Sequence, residues 1–166
     1  MDIKTLISNI RLTPGCGVYT PTGLPHVRKE HTLPDDLRDF YQLCGGVTLF
    51  QDASYSVSIV PPRKMVLANP IILNMWSEEE LRADSGDDIS WSWYIIAEGE
   101  NSQYLTIDLS RERLGYCYDS FWDIHPQDSQ IIAKSFTDLL VQLLANRGRH
   151  WYWLQPKFRS LGKAYD

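Results

Sequence analysis

Four histidines, three cysteines and one pair of aspartates are the side chains of this 166-residue sequence that catalysis or metal binding could use. None of His26, His31, His125 and His150 stands three or four residues from another, the spacing that sets two imidazoles on one helical face around a metal ion. His26 and His31 are five apart in a proline-bounded stretch and read as solvated loop imidazoles. Cys16, Cys44 and Cys117 match neither a disulfide framework nor a zinc pattern, and read as buried, reduced thiols. A distant histidine could activate Cys44 as a nucleophile, but Cys44 falls on the apolar stripe of a helix. Ser135 is accounted for as a helix N-cap. The sequence contains no Gly-x-Ser-x-Gly elbow and no phosphate loop. What remains is Asp119 and Asp123, flanking Phe121-Trp122. Carboxylates beside aromatic rings suit a glycosidase, and equally a protein-binding surface. The binding surface is the preferred reading, since spacing does not fix the distance between the two carboxylates. We therefore expect no enzyme, no cofactor and no bound metal.

The elements that would position these residues follow from periodicity. Residues 3–12 form a helix with Ile3, Leu6, Ile7 and Ile10 on one face, ended by Pro14, Gly15 and Gly17. Residues 21–31 are a loop or an irregular edge strand. Residues 47–50 and 55–60 read as strands joined by the turn Gln51-Asp52-Ala53-Ser54, and Pro61-Pro62 stops the pairing. Residues 64–69 are a further short extended piece. Ser77 and Glu80 make a capping box for one helical turn, and residues 84–88 form an exposed loop. Residues 91–97 are apolar with almost no alternation, as in a central strand covered on both faces, which puts Trp91 and Trp93 in the core. Residues 103–109 and 115–119 add antiparallel strands. Ser135 and Asp138 cap a last helix with the stripe Phe136, Leu139, Leu140, Leu143 and Leu144, and Gly148 follows it. Strands flanked by helices imply an α+β fold: one domain over residues 1–166, with a mostly antiparallel or mixed sheet between helices. Leu37, Phe40, Leu139 and Leu143 are expected to pack on the sheet that holds residues 91–97. The tail, residues 147–166, carries Trp151-Tyr152-Trp153, Leu154, Pro156 and Phe158. It either packs back on the domain or forms a partner-binding arm, and its composition favours packing.

Residues 32–50 hold the most information. Thr32 and Asp35 form a capping box, Pro34 stands in the first turn, and Leu37, Phe40, Tyr41 and Cys44 make an apolar stripe. Gly45 is suited to the left-handed position that ends a helix, and Val47 to Phe50 read as a strand. The Leu33-Pro34 start, the Phe40-Tyr41 pair and Gly45-Gly46 before an aliphatic-Phe strand resemble a signature of the SUKH superfamily. Downstream, the Gly99 turn leading to Asp108-Leu109-Ser110 resembles a further family motif. So do Gly115-Tyr116-Cys117-Tyr118 and the Ala133-Lys134-Ser135-Phe136 opening of the late helix. The resemblance spans roughly residues 33–144. It implies the SUKH fold and a non-catalytic protein binder: an immunity protein that neutralises a bacterial toxin of nuclease or deaminase type. The fungal cell-wall synthesis regulators of the same superfamily imply an alternative, an intracellular regulatory or scaffold protein. A carboxylate-dependent hydrolase is a distant third.

Composition bounds the partner. A hydrophobic fraction of 43% and a charged fraction of 22% are ordinary for a soluble globular domain. No apolar run approaches the ~18 residues that span a bilayer, and the N-terminus lacks a signal peptide's pattern, so a cytoplasmic protein is expected. A net charge of −5 disfavours direct nucleic-acid binding and favours a basic protein partner. Six acids (Glu78, Glu79, Glu80, Asp84, Asp87, Asp88) fall within residues 78–88, where the resemblance is weakest. Glu79, Asp84, Asp87, Asp88, Asp119, Trp122 and Asp123 are therefore the candidate docking residues, the acids steering and the aromatic anchoring.

Overall fold

In the computed structural model, which describes residues 1–74, 79 and 88–166, helix α1 (Ile3–Leu12) forms where the spacing places it. The Asp2 carboxylate accepts the Thr5 N–H at 2.7 Å, and Ile3, Leu6, Ile7 and Ile10 are all buried. Helix α2 (Asp35–Leu43) buries Leu37, Phe40 and Tyr41, as expected. The capping box does not form. Pro34, in extended backbone, occupies the N-cap position, so the helix begins later than a cap at Thr32 requires. Asp35 lies instead near Arg38 on the surface, and Asp36 does the joining. One Asp36 oxygen accepts the Leu37 N–H at 2.9 Å. The other accepts the Thr137 N–H and hydroxyl at 2.9 and 2.8 Å, which ties α2 to the last helix.

Cys44 is buried at the C-cap in extended backbone, just beyond the last turn. The left-handed residue is Gly46, at φ +114°, and not Gly45. Gly45 is required for a different reason. A Cβ there would overlap the Thr20 carbonyl, to whose neighbour Tyr19 the Gly45 N–H donates at 2.8 Å.

Among the described residues seven strands run in chain order: β1 (Gly17–Val18), β2 (Val47–Leu49), β3 (Val57–Ile59), β4 (Trp93–Glu98), β5 (Tyr104–Asp108), β6 (Cys117–Asp119) and β7 (Ile131–Ala133). Each pairs antiparallel with the next, so the sheet is a simple meander with no parallel pair among the described residues. β1 and β7 are strands that the sequence pattern does not mark. β2 and β3 alternate, with Val47, Leu49, Val57 and Ile59 inward and Thr48 and Ser58 half-exposed. β4 is buried from Trp93 to Ala97. Its first half is flanked by the chain after Pro61-Pro62, where Leu67 bridges Tyr94 and Val66 O accepts the Ile95 N–H. The extended piece expected at residues 64–69 is thus confined to this bridge. A 3-10 turn (Pro62–Lys64) precedes it and helix α3 (Ala68–Ile72) follows.

Helix α4 (Phe136–Asn146) is capped by Ser135, whose hydroxyl accepts the Asp138 N–H at 3.0 Å. Phe136, Leu139, Leu140 and Leu143 are buried, and Leu144 is half-buried. α1, α2 and α4 pack against one another and reach the two ends of the sheet, α1 on β1 and α4 on β7. Among the described residues no helix is long and apolar enough to cross a membrane.

Candidate protein-docking surface

The connection between β6 and β7 presents Trp122 and Asp123 to solvent. Its geometry starts with Asp119, the last residue of β6. The carboxylate of Asp119 is buried, accepting Trp153 Nε1–H at 2.8 Å and the Phe121 N–H at 3.2 Å. Ser120 is locked beside it, its hydroxyl 2.8 Å from that of Thr106 on β5. The backbone then coils, with the N–H groups of Ile124 and His125 both donating to Phe121 O, and a cis peptide joins His125 to Pro126. Inside the coil, Phe121 packs edge-on against Trp151 and Trp153, which stack on each other at 5.2 Å. The tail therefore packs back on the domain. Its Tyr152 hydroxyl donates to Ile132 O of β7 at 2.7 Å.

A second brace holds the far side. His125 is buried, and its Nε2 lies 2.7 Å from Asn69 Oδ1 of α3. Ser90 Oγ donates to Asp88 and so accepts from Asn69 Nδ2, which leaves the amide oxygen facing the imidazole; that oxygen can only accept, so the imidazole proton sits on Nε2. Ser90 donates onward to Asp88 at 2.7 Å, and the Tyr165 hydroxyl donates to Asp88 at 2.6 Å. Five side chains from four parts of the chain thus form one polar path, which pins the coil that carries Trp122.

Burial and hydrogen bonding set the charges. Burial pushes the Asp119 carboxyl up to about 6, against the lowering effect of its two donors, and nearby Asp123 adds slightly to the rise. Burial lowers the His125 imidazole to about 4, opposed by Asp88. At Asp88 burial also disfavours the charge, but the donors Tyr165 and Ser90 outweigh it and hold the carboxyl below its ordinary range.

The site residues named from sequence therefore separate. Trp122 is 65% exposed and makes no hydrogen bond or ring contact among the described residues. Asp123 is exposed beside it, and Glu79 is exposed. Asp84 and Asp87, like the turn at Ser77 and Glu80, lie outside the described residues. Asp119 is buried with both oxygens accepting internal donors, whereas Asp88 is half-buried and its Oδ1 accepts from Ser90 and Tyr165. The Asp119 oxygens are buried and hydrogen-bonded, so they do not share a solvent-facing surface with Asp123.

Among the described residues no group of three or more His, Cys, Asp or Glu side chains converges as metal ligands do. Burial raises the thiol pKa of Cys44 and, further, of Cys117, which disfavours the nucleophilic thiolate. His31 is no free loop imidazole, since its Nδ1 lies 2.8 Å from the Tyr94 hydroxyl.

Sequence reasoning missed the largest polar hub, Asp108, the acid of the Asp-Leu-Ser motif. Its buried carboxylate accepts from Trp93 Nε1 (3.0 Å), Tyr118 OH (2.9 Å) and Arg113 Nε (3.1 Å) on one oxygen. The other oxygen accepts from Ser92 Oγ and the Ser110 N–H, both at 2.9 Å. The motif's aspartate thus joins three strands and a turn.

No solved structure matches the chain. It is 46% identical over 168 residues to a protein named immunity protein YokJ, from Bacillus subtilis (strain 168), with 100% of this chain and 97% of the relative covered. The sequence profile of the SMI1 / KNR4 family (SUKH-1) matches residues 28–142, most of the chain and every strand from β2 to β7. The resemblance carried by the Leu33-Pro34, Gly45-Gly46 and Asp108-Leu109-Ser110 motifs is therefore one of descent, and the chain belongs to the SMI1 / KNR4 (SUKH-1) family.

Proposed function

We propose that this chain is an immunity protein. It binds and silences a toxin domain without chemistry of its own, in the cytoplasm where the toxin would otherwise act. The full-length similarity to a protein named as an immunity protein supports the class. The observation that carries the mode of action is Trp122. It is a large apolar side chain left 65% exposed on a backbone braced from both sides. A rigid exposed tryptophan is the side chain that most often anchors a protein interface, because ordering it costs little entropy and burying it removes a large area from water. Asp123 beside it, and the acids Glu79, Asp84 and Asp87, suit a basic partner such as a nuclease or nucleic-acid deaminase domain.

The test is to identify the partner by pull-down and among the neighbouring genes, to co-express it as a toxin with this protein, and to measure binding on the purified pair. Trp122→Ala is expected to weaken binding by at least 2 kcal/mol, roughly 30-fold, with the fold intact. Asp123→Asn is expected to slow association and flatten its salt dependence. Binding within threefold of wild type for Trp122→Ala would move the docking face elsewhere, and cell death despite co-expression would remove the immunity reading itself.

A further inference from the structure

A cavity of about 520 Å³ opens between β7, α4 and the tail, on a floor that includes Ile132, Tyr152 and Phe158. Three cations line it: Lys134, at the β7–α4 junction, and Lys157 and Arg159, on either side of Phe158. Phe158 is held edge-on against Tyr152 at 5.5 Å, and its N–H donates to Gln155 O at 3.0 Å, so the backbone between the two tail cations is fixed. None of the three cations makes an ion pair or hydrogen bond among the described residues. Lys134 has only the Tyr116 ring, 5.8 Å away. One carboxylate, Asp138, shares the cavity. Unpaired cations gathered at one cavity repel each other, and they do so here in a protein of net charge −5 that has acids to spare. An occupant of opposite charge relieves that repulsion.

We propose that this cavity is a binding site for a compact organic anion bearing two or more negative charges, a phosphate ester or a polycarboxylate. The volume lies within the ~300–1,000 Å³ of ordinary small-ligand sites. The planar Arg159 guanidinium matches the paired oxygens of carboxylate or phosphate, and the two lysines add point charges. The apolar floor receives the ligand's carbon body, while Asp138 and Gln142 offer acceptors for a hydroxyl on it. The Tyr152 hydroxyl, committed to Ile132 O, keeps the floor closed.

The experiment is an amide NMR titration of the full chain with pyrophosphate, with citrate and with a hexaglutamate peptide. Wild type is expected to show saturable shifts at Lys134, Phe158 and Leu161 for pyrophosphate or citrate, with a Kd below ~1 mM. The tighter of the two separates a phosphate site from a carboxylate site. The double variant Lys157→Gln/Arg159→Gln alters only exposed side chains, and is expected to bind at least roughly tenfold more weakly. Arg63→Gln, a cation outside the cavity, should bind as wild type does. Shifts that grow linearly with salt, equal affinity in the double variant, or saturation by hexaglutamate alone would each overturn the proposal, the last in favour of a peptide-docking surface.

Discussion

Asp119 and His125 lie six residues apart on the same connection, and they push stability in opposite directions as the pH falls. The folded Asp119 carboxyl binds its proton near pH 6, against an ordinary value of 3.8. Between those values only the folded state holds that proton, so stability rises as the pH falls. From pH 7 to pH 4.5 the gain is about 2 kcal/mol. The folded His125 imidazole titrates near 4, against an ordinary 6.5. Between those values only the unfolded chain holds the proton, so stability falls with the pH, by about 2 kcal/mol over the same interval. In the wild type the two contributions cancel to within roughly 0.5 kcal/mol, and single variants uncover them. Asp119→Asn keeps an acceptor for Trp153 and leaves the His125 slope, so its urea-melt stability should drop by about 2 kcal/mol between pH 7 and pH 4.5 relative to wild type. His125→Gln keeps a donor for Asn69 and leaves the Asp119 slope, so its stability should rise by about the same amount. If both variants follow the wild-type pH dependence to within about 0.5 kcal/mol, burial does not govern these two groups and the reasoning fails.

Two further perturbations test the fold itself. Asp108→Asn turns an amide N–H₂ toward donors that now share a carboxylate, and should cost about 2–4 kcal/mol in a urea melt at pH 7; a cost under about 0.5 kcal/mol would show that the hub is not under strain from unmet donors. Gly45→Ala drives a methyl group into the Thr20 carbonyl and should lower stability by about 2 kcal/mol or more, whereas a neutral result would mean that the loop before α2 yields freely.

α1, α4 and β4 were legible because each repeats a local pattern long enough to read: period 3.6 over ten or eleven residues in the helices, and an unbroken apolar run in the strand. The helix at residues 35–43 was legible in kind but not in its start. The Thr32 and Asp35 pattern fits a capping box, yet Pro34 holds extended backbone at the N-cap and Asp36 is drawn away to Thr137, 101 residues on. The strands β1 and β7 exist only through their partners, and no local signal marks them.

For the candidate site, sequence supplied the residue types and tertiary structure supplied their roles. The acidic and aromatic character around Trp122, the lack of a catalytic motif and the family motifs are properties of residue order alone. Which acid faces water is not. Asp119 and Asp123 look alike in sequence, but one ends a buried strand against Trp153 and the other crowns a coil. In sequence Asp88 is one of a run of acids and Asp108 a member of a motif, and only the fold brings Ser90 and Tyr165 to the first and Trp93 and Tyr118 to the second. The difference is physical. Helical stripes and strand runs depend on neighbours within a few residues. Burial, proton affinity and the pairing of a charge depend on groups brought together by the fold, and those are fixed only when the chain has closed around them.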